Sequence, residues 1–234
     1  PGLLATIRER GSIRVGIDAS YPPFAQAAGS GELVGYDVDL ARYIGNHIGV
    51  TVEFLNMDYD GLYDALLGGR VDVLVSGLFP DELRSEDVLY SQPYFNAGQR
   101  LLVRDGYPAA SVKELRDARL GVELGSEGDV IGSRLAESQR LAVARFDGPA
   151  DVVAALVAGE VDAAVLDGIS ALMARGSHDG LRLAGPPLTD EPFVVAVPEG
   201  QRALLGSVDE TIELLRDNGQ LRRLEEKWLS RSTY

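Results

Sequence analysis

Cysteine is absent from the 234 residues. No disulfide can staple this fold, and no thiolate can hold a metal or act as a nucleophile. The absence fits an exported protein without requiring export. Histidine is nearly absent. His47 falls inside a helical pattern and His178 in the loop "RGSHDGL", so the two make no zinc motif, and neither stands near a candidate serine. The sequence therefore predicts no metal and no cofactor. Long apolar runs are missing too: none approaches the roughly 18 residues a membrane span needs, although 45% of the chain is hydrophobic, as a folded soluble core requires. Basic residues are few against acidic ones, 22 to 36, for a net charge of −14. No basic stripe exists to neutralise phosphates, which excludes a nucleic-acid partner, and the surface acidity reads as a solubility device. "GGR" and "GSEGD" lack the lysine of a phosphate loop. Pro1-Gly2 is not a signal sequence, and the numbering is read as starting at a trimmed end.

What the chain does contain is an echo. "ALLGGRVDVLVSG" (Ala65–Gly77) returns as "ALVAGEVDAAVLDG" (Ala155–Gly168). Aligning Val71-Asp72 with Val161-Asp162 puts Leu66 on Leu156, Gly69 on Gly159, Val75 on Val165 and Gly77 on Asp167. Each copy reads as a helix end, a glycine stop and a short apolar strand. Upstream of the first copy, "SIRVGID" is a strand, "YDVDLARYIGNHIG" a helix with Asp37 as its expected N-cap, "VTVEFL" a strand and "YDGLYDALLGG" a helix. Upstream of the second, "ARLGVEL", "GDVIGSRLAES", "LAVARF" and "PADVVAALVAG" repeat the order strand, helix, strand, helix.

Two β-α-β-α-β runs predict an α/β protein of two Rossmann-like lobes with parallel sheets. "RLLV" and "FVVAV" lie in the two connections and predict a two-segment hinge. The tail reads as two helices split near Gly219, with Leu204, Val208, Ile212 and Leu215 on one face, then Leu221, Leu224 and a core Trp228. Lobe 1 is expected over residues 1–98 plus 194–234, lobe 2 over 99–193. Ligands of such sheets sit beyond the carboxyl ends of the strands. Those ends, Ser76-Gly77 and Leu166-Asp167, are expected to face one another across a cleft.

"RVGIDASYPPF", "GELVGYDVDLARYIG", "GLYDALLGGRVDVLVSG", "YSQPYF" and "GEVDAAVLD" together resemble the extracytoplasmic solute-binding proteins that serve polar amino acid ABC transporters. The resemblance runs from about Ile13 to Trp228. It implies a hinged, periplasmic-binding-protein-like monomer that is extracytoplasmic (periplasmic or lipid-anchored), closes on one amino acid and delivers it to a membrane permease. It also implies roles. Arg84 would grip the ligand α-carboxylate, as a guanidinium fork suits. Asp167 would take the α-ammonium, with help from a carbonyl of Ser76-Gly77. Asp18 would reach the far end of a polar ligand, and Tyr21 and Tyr59 would sandwich its side chain.

Two departures from the family pattern stand out. In "GLFPDELR", Phe79 replaces a hydroxyl and Pro80 removes an N–H. In "ELGSEGD", Gly125 and Ser126 fit a helix start that receives the carboxylate, but Glu127 replaces the second hydroxyl. Two readings of Glu127 stand side by side. It points outward and favours the helix dipole, or it joins Asp18 and Asp167 in an acidic pocket that selects arginine, lysine or ornithine over glutamate. The expectation is a binding protein for a polar, cationic amino acid and not an enzyme. The alternatives are a dehydratase on the same scaffold, with Glu127 or Glu123 as proton donor, and the ligand-sensing domain of a receptor.

Overall fold

The computed structural model describes residues 2–230; residues 1 and 231–234, assigned above to the ends of lobe 1, lie outside the described residues. The chain opens with α1 (Leu3–Arg10), β1 (Ser12–Ile17), β2 (Ser20–Tyr21), β3 (Ala25–Ala27), β4 (Leu33–Val34), α2 (Tyr36–Ile48) and β5 (Thr51–Asn56). A 3-10 turn at Tyr59–Gly61 leads into α3 (Leu62–Leu67) and β6 (Val73–Leu78); a second at Glu82–Arg84 precedes β7 (Val88–Tyr90) and β8 (Phe95–Asn96). Then come β9 (Arg100–Arg104), β10 (Arg119–Glu123), α4 (Glu127–Gln139), β11 (Ala142–Phe146), α5 (Pro149–Ala158), β12 (Ala163–Leu166), α6 (Gly168–Ser177) and β13 (Leu181–Leu183). The chain ends with β14 (Pro192–Pro198), α7 (Arg202–Asp217) and α8 (Gln220–Trp228).

The described residues fall into two compact units. One runs up to Phe95 and includes Pro192–Trp228; the other is Asn96–Glu191 with Leu229 and Ser230. In the first unit the sheet runs β5-β1-β6-β14-β7, with β1 parallel to both β5 and β6. In the second it runs β11-β10-β12-β9-β13, with β10 parallel to both β11 and β12. The expectation of parallel sheets needs correction. β14 runs antiparallel to β6 and β7, and β9 antiparallel to β12 and β13. The two apolar segments read as hinge connections are these added strands, and their apolar character comes from burial in a sheet interior.

The echo has a local cause. α3 and α5 both stop on a left-handed glycine, Gly69 at φ 67° and Gly159 at φ 77°. In both, the next N–H reaches back five residues: Arg70 N donates to Ala65 O and Glu160 N to Ala155 O, each at 2.9 Å. This is a Schellman stop, where glycine avoids the Cβ penalty. Alternation along β9 and β12 then builds two cores in the second unit. Leu101, Val103, Ala163 and Val165 pack on one face; Leu102, Ala164 and Leu166 pack on the other against Val152 and Leu156 of α5.

Two further expectations change. Asp37 does not cap α2. The N-cap is Gly35, because Phe24 O would stand 2.1 Å from any Cβ there. Trp228 is half-buried and not core. Its Nε1–H donates to Asp39 Oδ2 at 2.8 Å, while Leu224 and Leu229 are buried beside it in sequence. No helix among the described residues is long and apolar enough to cross a membrane.

Candidate functional site

In the first unit, the ends of the neighbouring parallel strands β1 and β6 are Ile17 and Leu78. Asp18 follows β1 and ties three segments together. Its N–H donates to Ser76 Oγ (2.9 Å), its Oδ1 accepts from Ser20 N (2.9 Å) and its Oδ2 accepts from Tyr59 N (3.1 Å). The Tyr21 ring stacks on Phe24 with centroids 5.5 Å apart. Phe79 meets Phe193 edge to face at 5.1 Å. Around these residues lies a cavity of about 290 Å³, lined by Asp18, Ser20, Tyr21, Tyr59, Ser76, Gly77 and Phe79. Tyr21, Tyr59 and Phe79 keep 41–45% of their surface exposed there. Large aromatics left open around a carboxylate are a recognition surface more than a core.

β6 bends at this cavity. Its pairing with β14 sets Val194 against Leu78 and Ala196 against Leu74, so β6 carries two extra residues in between. Gly77 sits there at φ 56°. A Cβ would lie 3.0 Å from the Tyr21 ring, so the bulge and the aromatic wall both require glycine. The Gly77 N–H, lost to the ladder, donates to Tyr94 Oη at 3.2 Å.

Arg84 lines an adjoining cavity of about 380 Å³ that shares Tyr59 and Phe79 as walls. Its guanidinium stands 4.1 Å over the Tyr63 ring, and its Nε lies 3.4 Å from Asp81 Oδ2. The structure therefore gathers six of the expected residues around one cavity and sets Arg84 next door, already paired. A larger cavity of about 460 Å³ lies between α2 and α8. Its one carboxylate, Asp39, is held by Lys227 and by Trp228, so it offers no open carboxylate to a cationic ligand.

In the second unit, Ser126 caps α4: its Oγ accepts from Asp129 N (3.2 Å) and donates to Glu123 O (2.8 Å). Asp129 returns the favour by accepting from Gly125 N at 3.1 Å. That N–H holds the Asp129 carboxyl below the usual carboxylate range, and Arg145 adds to the effect. The Ser-x-x-Asp spacing of this helix start was visible in "SEGD", and Asp129 is the residue that the sequence reading missed. Glu127, first in α4, is exposed. Asp167 follows β12 and caps α6, with its Oδ1 accepting from Ser170 N at 2.9 Å. β10 and β12 are adjacent and parallel, so the Ser126 loop and Asp167 share one sheet end.

Each unit thus carries polar side chains at the carboxyl ends of its central parallel strands, the architecture of a periplasmic-binding-protein-like fold. The chain belongs to the bacterial extracellular solute-binding proteins, family 3, whose model matches residues 13–231. It is 28% identical to the L-arginine-binding protein of Pseudomonas aeruginosa over 95% of this chain and 89% of that one. It is 29% identical to the L-cystine-binding protein of Escherichia coli over 97% and 86%. Among solved structures, an ancestral cyclohexadienyl dehydratase matches with a TM-score of 0.86 at 25% identity, covering 98% of this chain and 97% of that one. An ancestral arginine-binding protein bound to arginine matches with a TM-score of 0.55 at 35% identity, covering 94% and 98%.

Proposed function

We propose that the protein binds a polar, cationic amino acid and presents it to the permease of an ABC transporter outside the cytoplasm. The observation that carries this reading is the first unit's cavity, where the Asp18 carboxylate stands among three open aromatics. A carboxylate pairs with a cationic head, and ring faces attract a guanidinium or ammonium at about 0.5–2 kcal/mol each. The relative named for arginine supports the same class. Arg84 takes the α-carboxylate, leaving Asp81 for the ligand, and Asp167 takes the α-ammonium. Phe79, in place of a hydroxyl, adds apolar enclosure and no hydrogen bond. Glu127 is exposed, which favours the first of its two readings, an outward residue at a helix start.

The dehydratase alternative has the structural likeness to an ancestral dehydratase behind it. It needs a proton donor enclosed with its substrate; of the two candidates, Glu127 is exposed and Glu123 half-buried. Calorimetric titration with L-arginine, L-lysine, L-ornithine, L-histidine, L-glutamine, L-cystine and L-glutamate tests the proposal. Arginine, lysine or ornithine should bind tightest, near micromolar, or about −8 kcal/mol. Glutamate as the tightest ligand overturns the cationic assignment. Arg84→Ala should abolish the response to every ligand; a wild-type isotherm from that variant removes Arg84 from the site.

A further inference from the structure

Behind the cavity wall lies a carboxyl group with no part in the roles above. Asp37, in the first turn of α2, is fully buried. Its Oδ1 accepts the Tyr94 hydroxyl proton at 2.7 Å, and its Oδ2 has no hydrogen-bond partner. The Tyr94 oxygen in turn accepts the Gly77 N–H at 3.2 Å. Tyr94 is held on both sides, stacked on Tyr36 with centroids 6.0 Å apart and tilted against Phe193 at 6.3 Å.

A buried, half-satisfied carboxylic acid is expensive, and an apolar residue would cost less. Its placement gives it a use. The bulge in β6 strips Gly77 of its ladder partner, and a phenol whose proton is already committed to Asp37 can only accept from Gly77. The acid thus fixes the direction of the Tyr94 O–H, and the phenol fixes the bulge. Chains of hydrogen bonds in a dry interior reinforce one another.

We propose that Asp37 and Tyr94 are positioning residues for the ligand site. The pair grips Gly77 from behind, so that the Ser76–Gly77 bulge holds one backbone conformation at the cavity wall beside Tyr21. This rests on the amino-acid-binding reading, and the test separates the two. Four variants are titrated with L-arginine and followed by amide NMR of the ligand-free protein: Tyr94→Phe, Asp37→Leu, their combination and Asp37→Asn. Tyr94→Phe should weaken binding about tenfold, shift the Gly77 amide resonance and speed its hydrogen exchange. Asp37→Leu should do the same, and the double variant should lose no more than either alone. Asp37→Asn, whose side-chain oxygen still accepts from Tyr94, should restore affinity to within about threefold. A purely structural role would lower the melting temperature and leave the Gly77 amide and the affinity in place, and that result overturns the proposal, as do additive losses in the double variant. If wild type binds no amino acid, the functional reading fails, and the Gly77 resonance still decides whether the relay exists.

Discussion

The carboxylates of Asp72 and Asp162 explain the second half of the echo. Asp72 N donates to Arg14 O and Asp162 N to Arg119 O, each at 2.8 Å. In return Arg14 N donates to Asp72 (2.7 Å) and Arg119 N to Asp162 (2.8 Å). Each aspartate thus clamps the neighbouring parallel strand just below its first ladder pair, which is why Val-Asp follows the glycine stop twice. The surroundings differ. The Asp72 side chain is wholly buried and also pairs with Arg10 and with Arg14, whose guanidinium lies at 2.7 Å; the Asp162 side chain is 39% exposed, with Arg104 at 3.8 Å. Removing Asp72 strands a backbone donor and two arginines at once. Asp72→Ala should cost about 2–4 kcal/mol in urea unfolding and Asp162→Ala about 1 kcal/mol or less. Equal losses would mean that the buried ion pairs contribute nothing beyond the backbone clamp.

At the scale of elements, β6 does the most for the site. Gly77→Ala places a methyl against the Tyr21 ring and a side chain on left-handed backbone. It should lower unfolding stability by about 1–2 kcal/mol and weaken binding of L-arginine. An alanine variant that binds as wild type does would show that the bulge is not part of the recognition surface. Periodicity made the helices legible, down to the split tail and its face of Leu204, Val208, Ile212 and Leu215, all buried. It did not distinguish parallel from antiparallel partners, because "FVVAV" has the same composition in either. The short β2, β3 and β4 escaped notice since segments of two or three residues carry no period. Of the candidate site, Asp18, Tyr21, Tyr59, Ser76, Gly77 and Phe79 were legible through family resemblance and do surround one cavity. The relay behind them was not, because a lone Tyr94 in "QPYF" and Asp37 in "GYDVD" read as packing and cap until the fold brings them together.

For the molecule as a whole, Asp37 also shapes the dependence of stability on pH. Burial pushes its carboxyl from an ordinary 3.8 up to about 7, against the opposing pull of the Tyr94 hydrogen bond. The titratable groups facing it are Tyr94 and Tyr36, both raised by burial and neutral throughout; Glu225 is the charge acting on Tyr36. The sign follows from proton counting. Between about pH 4 and 7 the folded protein keeps the Asp37 proton and the unfolded chain has lost it, so unfolding releases a proton and becomes easier as pH rises. Above about 7 both states are ionised and the term is flat. The contribution therefore falls through that window, by a few kcal/mol at most. Asp129 works the other way, since its lowered carboxyl loses stabilisation only as the solution becomes acidic. Subtracting the Asp37→Asn curve from the wild-type curve of unfolding free energy isolates the Asp37 term, because asparagine keeps the bond from Tyr94 and does not titrate. The difference should decline from pH 5 to 7 and level off by pH 8. A difference that stays flat across that range would mean that Asp37 is ionised in the fold already at pH 5, with a donor on Oδ2 that the dry surroundings do not provide.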